Sequence, residues 1–195
     1  MIMAMDITAF SRLGGIKGIE GDELTPATHS EITDVEKQIG VCLPKAYRQF
    51  LLTCGASTFN GASPDNPHIV FCSKNPLPSH ISETSKGLFD AFYGGKRDES
   101  DPYSLQVRIQ CFTGRMPESI IPIGDDGGAG QICLGIKGNE AGKVYYWDQA
   151  NEPLDEEDYL EDYGVPRPPE AMFQNVYEIA DSFGDFLQRL EIMEE

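Results

Sequence analysis

Apolar residues recur at Ile32, Val35 and Ile39, three and four positions apart, and this spacing predicts an amphipathic helix. Thr28-His29-Ser30-Glu31 supplies a capping box at its start and Gly40 a stop. Leu43-Pro44 opens a second helix, with Pro44 suited to the first turn. Tyr47, Phe50, Leu51 and Cys54 form its apolar stripe, and Gly55 ends it. Beyond Gly55 the period changes. Ile69 to Cys72 reads as a short apolar strand, and 75–82, with two prolines, as a loop. Leu88, Phe89, Phe92 and Tyr93 suit a short helix ending at Gly94-Gly95, followed by a charged, exposed stretch to Pro102. Tyr103, Leu105, Val107, Ile109 and Cys111 alternate with Ser104, Gln106, Arg108 and Gln110, the clearest strand pattern of the chain. Ile120 to Ile123 is a further strand, whose Pro122 points to an edge or a strand start. Ile132 to Ile136 and Val144 to Trp147 follow, joined by a hairpin-like turn over 137–142. A strand near Asn175 to Ile179 precedes a last helix from Ser182, capped through Asp185, with Phe183, Phe186, Leu187 and Leu190 on its apolar face.

Helices first, strands next and a helix last imply an α+β fold, a single domain with a mainly antiparallel sheet flanked by N-terminal helices and a closing C-terminal helix. The length of 195 residues suits one domain. Residues 1–27 are Gly-rich and weakly patterned, an N-terminal extension with room for one short helix.

Charge narrows the choice of partner. Lys and Arg number 15 against 32 Asp and Glu, a net charge of −17. Such a field repels phosphate backbones and anionic lipid surfaces, so neither nucleic acid nor membrane is expected as partner. A basic protein is the natural complement. Met1 to Met5 is apolar, but no Lys or Arg precedes it and Asp6 cuts it short, unlike a secretory signal. The longest uncharged stretch, Gln49 to Pro64, is too polar to span a bilayer. A cytoplasmic protein is expected. Cys42, Cys54, Cys72, Cys111 and Cys133 contain no C-x-x-C spacing, so free and mostly buried thiols are expected.

Catalytic and metal signatures are weak. Gly124 to Gly130 carries Asp125 and Asp126 in a Gly-rich run, but lacks the lysine of a phosphate-binding loop and the ligand spacing of a calcium loop. A turn between strands explains it. His29, His68 and His80 form no metal-binding pair. His68 and Cys72, four apart on a strand, would lie ~13 Å from each other, too far for a dyad. No catalytic residue, metal ligand or cofactor is expected. Between Asp148 and Asp162 stand eight acids and no base: Asp148, Glu152, Asp155, Glu156, Glu157, Asp158, Glu161 and Asp162. This proline-flanked segment reads as an irregular loop, anchored by Leu154, Tyr159 and Leu160. It is either a solvated face or an acidic docking surface, to which Asp125 and Asp126 would add.

Four stretches together resemble the SUKH superfamily, which takes part of its name from the Smi/Knr cell-wall regulators and includes many bacterial toxin-immunity proteins. They are the two-helix opening EITDVEKQIGVCLPKAYRQFLLTCG with its central Leu43-Pro44; IPIGDDGGAGQICLG from Ile121 to Gly135; KVYYWD from Lys143 to Asp148; and NVYEIADSFGDFL from Asn175 to Leu187. The resemblance sets a domain over 28–192, with inserts near 73–102 and 149–172 as departures. It implies a mainly antiparallel sheet flanked by helices, with Trp147, Phe183 and Phe186 in the core. It also implies a non-catalytic role, commonly the neutralisation of a toxin, often a nuclease whose basic cleft an acidic inhibitor can occupy. A regulatory scaffold, as in the eukaryotic relatives, and a ligand-binding enzyme using the acidic loops stay open as other classes.

Overall fold

The computed structural model describes residues 7–19, 21, 23–61, 63–95 and 100–194; Met1 to Asp6 and the charged residues 96–99 lie outside the described residues. Helix α1 (His29–Ile39) starts at the capping box of Thr28 and Glu31 and stops at Gly40, and it buries Ile32, Val35 and Ile39. Helix α2 (Lys45–Thr53) follows Pro44 at its N-cap and buries Tyr47, Phe50 and Leu51. A 3₁₀ turn over Ile7–Leu13 and strand β1 (Ile16–Gly18) precede them. Phe10 and Leu13 are buried in the main core, and β1 pairs with β2 (Ser57–Phe59).

Strands β3 (Ile69–Cys72), β4 (Lys86–Phe89) and β5 (Ala91–Phe92) come next. The helix expected around Leu88 to Tyr93 is therefore two strands. Leu88 is exposed while Phe89 and Phe92 are buried. Asp90 lies between β4, which pairs with β3, and β5, which pairs with β2 and β6, so the chain changes sheet there.

The alternating segment after Tyr103 is a helix, α3 (Leu105–Cys111), rather than a strand. Ser104 caps it by accepting from the Val107 N–H, and Leu105 and Ile109, one turn apart, are its buried residues. Val107 is half-buried and Cys111 exposed.

Strands β6 (Ile120–Asp125), β7 (Gln131–Gly135), β8 (Val144–Trp147) and β9 (Val176–Ala180) complete a seven-stranded sheet of order β1-β2-β5-β6-β7-β8-β9. Pro122 stands on interior strand β6, at neither the sheet's edge nor the strand's first position. It is tolerated because the register with β7 shifts between Pro122 and Gly124, and because β5 pairs only with Gly124 and Asp125. Helix α5 (Phe183–Gln188), capped by Ser182, is followed by strand β10 (Leu190–Ile192). So the chain closes on a strand after the expected last helix. β10, β3 and β4 form a three-stranded sheet. Every strand pair is antiparallel.

Both faces of the large sheet are covered, which is why β7 and β8 read as continuous apolar runs. Ile132, Leu134, Val144 and Tyr146 face the main core, while Cys133, Tyr145 and Trp147 face a second cluster with Phe112 and Met116. The main core is strongly aromatic. Phe50 and Phe92 lie edge-to-face at 4.6 Å, and Tyr47 and Phe183 at 5.0 Å. Trp147, Phe183 and Phe186 are all buried. Of the cysteines, Cys54 and Cys133 are buried, but Cys42 and Cys111 are exposed, so burial is less general than the apolar context suggested.

Candidate functional site

The acids singled out by composition divide into two groups once the strands are in place. Asp125 ends β6, and the Gly-rich run makes the turn into β7. Its Oδ1 accepts the Gly127 N–H at 3.0 Å. Only 8% of Asp125 is exposed, and burial pushes its carboxyl above the ordinary range, with the Gly127 N–H opposing. Asp126 accepts from the backbone N–H of Gly128 at 2.8 Å and of Gly130 at 3.1 Å through one oxygen. Its other oxygen accepts the Tyr146 hydroxyl at 2.9 Å. A Cβ at Gly130 would lie 2.2 Å from that hydroxyl, so a larger residue there would displace the Tyr146–Asp126 hydrogen bond. Asp148, 7% exposed, follows β8 and accepts from the Ala150 N–H at 3.0 Å and from Asn151 Nδ2 at 2.6 Å. His80 Nε2 stands 3.4 Å from it. Glu152 takes a bidentate pair of hydrogen bonds from Arg115, at 2.8 and 2.6 Å, and Arg115 in turn lies 5.1 Å above the Phe112 ring. Asp125, Asp126, Asp148 and Glu152 thus hold turns and loops together within the protein.

The other six acids are exposed. Asp155, Glu156, Glu157, Asp158, Glu161 and Asp162 lie on or next to helix α4 (Glu156–Tyr163), where an irregular loop was expected. Asp155 is its N-cap, accepting from the Asp158 N–H at 2.9 Å, and Gly164, with φ of 70°, is its C-cap. No residue of α4 is buried. Leu154 and Leu160 are exposed and Tyr159 only half-buried, so they anchor it less than their apolar character suggested. Instead Arg167 holds the segment: it donates to the Leu154 carbonyl at 2.7 Å and to the Gly114 carbonyl at 3.4 Å, and lies 3.9 Å from Glu156.

An exposed helix of this composition works against its own stability. Asp155, Glu156, Glu157 and Asp158 at its start suit the positive end of the helix dipole. Glu161 and Asp162 in the last turn do not, and that turn has no base. Glu157 and Glu161, and Asp158 and Asp162, are like-charge pairs four apart, each costing ~0.2–0.5 kcal/mol. What α4 and its N-cap offer chemically is a dense anionic surface. Among the described residues, no group of three or more His, Cys, Asp or Glu could hold a metal ion. No helix among them is long and apolar enough to cross a membrane.

Sequence reasoning missed Tyr146, Arg115 and Arg167. Tyr146 and Arg115 bind partners 20 and 37 positions away. Arg167 reaches back 13 positions to Leu154 and 53 to Gly114. No local signal marks them. The helix itself had a signal, Asp155-x-x-Asp158 followed by Gly164, but no apolar stripe accompanies it.

The profile of the SMI1 / KNR4 family (SUKH-1) matches residues 26–189. The 3₁₀ turn, β1 and β10 fall outside that span. Among curated proteins, the chain is 29% identical over 138 residues to an SPbeta prophage-derived uncharacterized protein, YokK, of Bacillus subtilis (strain 168), covering 68% of each chain.

Proposed function

From the premise that the chain belongs to the SMI1 / KNR4 family (SUKH-1), we propose that it is a non-catalytic immunity protein that binds a basic toxin, such as a nuclease, through the exposed acids of α4 in the cytoplasm. One observation carries this reading. Glu161 and Asp162 stand exposed in the last turn of a helix with no buried residue and no base there, four positions from Glu157 and Asp158, and in that place they cost the fold stability and give it nothing. A local rule broken without internal compensation is what a binding site looks like. The charge of the whole chain, −17, adds a field that draws a cation-rich surface toward that helix. The Gly-rich turn, by contrast, supports no catalytic part, because both oxygens of Asp126 and one of Asp125 are already hydrogen-bonded within the protein.

The reading is tested by co-expressing the chain with the product of the adjacent open reading frame. Growth arrest by that product alone, relieved by this chain, is the expected result. Relief should fail when Glu157, Asp158, Glu161 and Asp162 are all replaced by Lys. A neighbouring toxic product that arrests growth equally with and without this chain would reject the immunity role.

A further inference from the structure

Beside α4 lies a groove of about 720 Å³, between α3, the 114–119 loop, the start of β6 and a 3₁₀ turn at Pro169–Phe173. Ile109, Phe112, Met116, Pro122, Met172 and Phe173 make its walls. Its ionisable lining is sparse. Glu118 and Lys137 are of opposite sign, and Arg167 is directed to the Leu154 and Gly114 carbonyls. Arg167 also ties the groove to the acidic helix through its contact with Glu156, so the apolar trough and the anionic surface are neighbours. Phe173 remains 38% exposed.

Three properties fix the occupant. The lining is mostly aliphatic, aromatic and thioether, two of its uncharged polar side chains, Gln38 and Thr113, already donate to the Gln106 and Ile109 carbonyls, and Pro122 has no N–H, so it offers few hydrogen bonds to an extended backbone. A helix satisfies its own backbone and needs only an apolar face. A second copy is disfavoured, because pairing this face would bring two acidic helices together on chains of −17 each. Cationic residues flanking the apolar face would meet α4 instead. We propose that the groove seats an amphipathic helix of a basic partner protein, its apolar face against Met172 and Phe173 and the exposed edges of the largely buried floor residues Ile109, Phe112 and Met116, and its lysines and arginines turned to the acids of α4. This deepens the acidic-surface reading and rests on it for the sign of the partner's charge.

The probes are three synthetic peptides of about 18 residues. One carries Leu at helical spacing with Lys on the other face, one is a scramble of the same composition, and one has Glu in place of Lys. The single Trp of the chain, Trp147, reports binding, since its ring lies 5.3 Å from Phe112 on the groove wall. The amphipathic basic peptide should bind roughly 10-fold or more tighter than its scramble, and Phe173→Ser, at an exposed position, should weaken it by a similar factor. Glu157→Lys with Glu161→Lys should weaken it as well. Equal binding of peptide and scramble, or full affinity in Phe173→Ser, would overturn the groove while leaving acidic capture standing. Equal binding of the Glu peptide would overturn both. Sedimentation of the chain alone should show a monomer; a dimer dissolved by Phe173→Ser would make the occupant a second copy and overturn the proposal.

Discussion

Both carboxylate oxygens of Asp126 and one of Asp125 are engaged within the β6–β7 turn, and the two residues differ in what that engagement does to them. Asp125 is the more buried, and burial raises its carboxyl above the ordinary 3.8. The folded state therefore holds its proton more tightly than the unfolded chain. The stability it contributes is full below 3.8 and is lost as pH rises through the raised value. Asn at this position can still accept the Gly127 N–H and does not ionise. The Asp125→Asn variant should thus gain stability relative to the natural chain as pH climbs from 3.8 toward neutrality, read by denaturant titration at several pH values. A stability difference that does not change with pH would show that Asp125 ionises in the fold as it does in water.

Helix α3 is where pattern and structure part most clearly, and the cause is its length. Over seven residues, positions 105 and 109 share a face both in a strand and in a helix, so the separation rests on Val107 and Cys111, which would join that face in a strand and leave it in a helix. Alanine substitutions turn that into a measurement. Leu105→Ala, at a site 1% exposed, should cost ~2–5 kcal/mol, and Val107→Ala distinctly less. Similar losses at 105 and 107 would restore the strand. Helices α1 and α2 were legible because helix period, start signal and glycine stop agree there, and α5 through its Ser182 cap and the stripe Phe183, Phe186 and Leu187, although Leu190, expected on the same face, begins β10. β7 and β8 were legible as apolar runs bounded by turn residues. Helix α4 was not, because its helicity rests on Asp155, Gly164 and the distant Arg167 and has no buried face to give a period. The acidic segment as a candidate surface was plain from composition. The division between its structural and exposed acids was not, since it depends on Arg115, Tyr146 and Asn151 reaching them in three dimensions.

At the scale of the molecule, both clusters that cover the sheet form without a residue of the acidic helix, while the surplus charge of the whole chain extends that helix's reach. The core and the surface are separable, because α4 contributes no buried residue, so its charge can be changed without touching the packing. Asp155 and Glu156 are best left in place, the one as N-cap and the other beside Arg167. The most direct measurement is the association rate of the proposed basic partner, taken as the product of the adjacent open reading frame, by stopped flow at low and high salt, with the natural chain and with Glu157, Asp158, Glu161 and Asp162 all replaced by Lys. Steering by an acidic surface predicts that the natural rate falls steeply with salt, and that reversal slows association by ~10-fold or more at low salt and by less at high salt. Equal rates for both proteins at both salt concentrations would contradict the account and remove α4 from the interface.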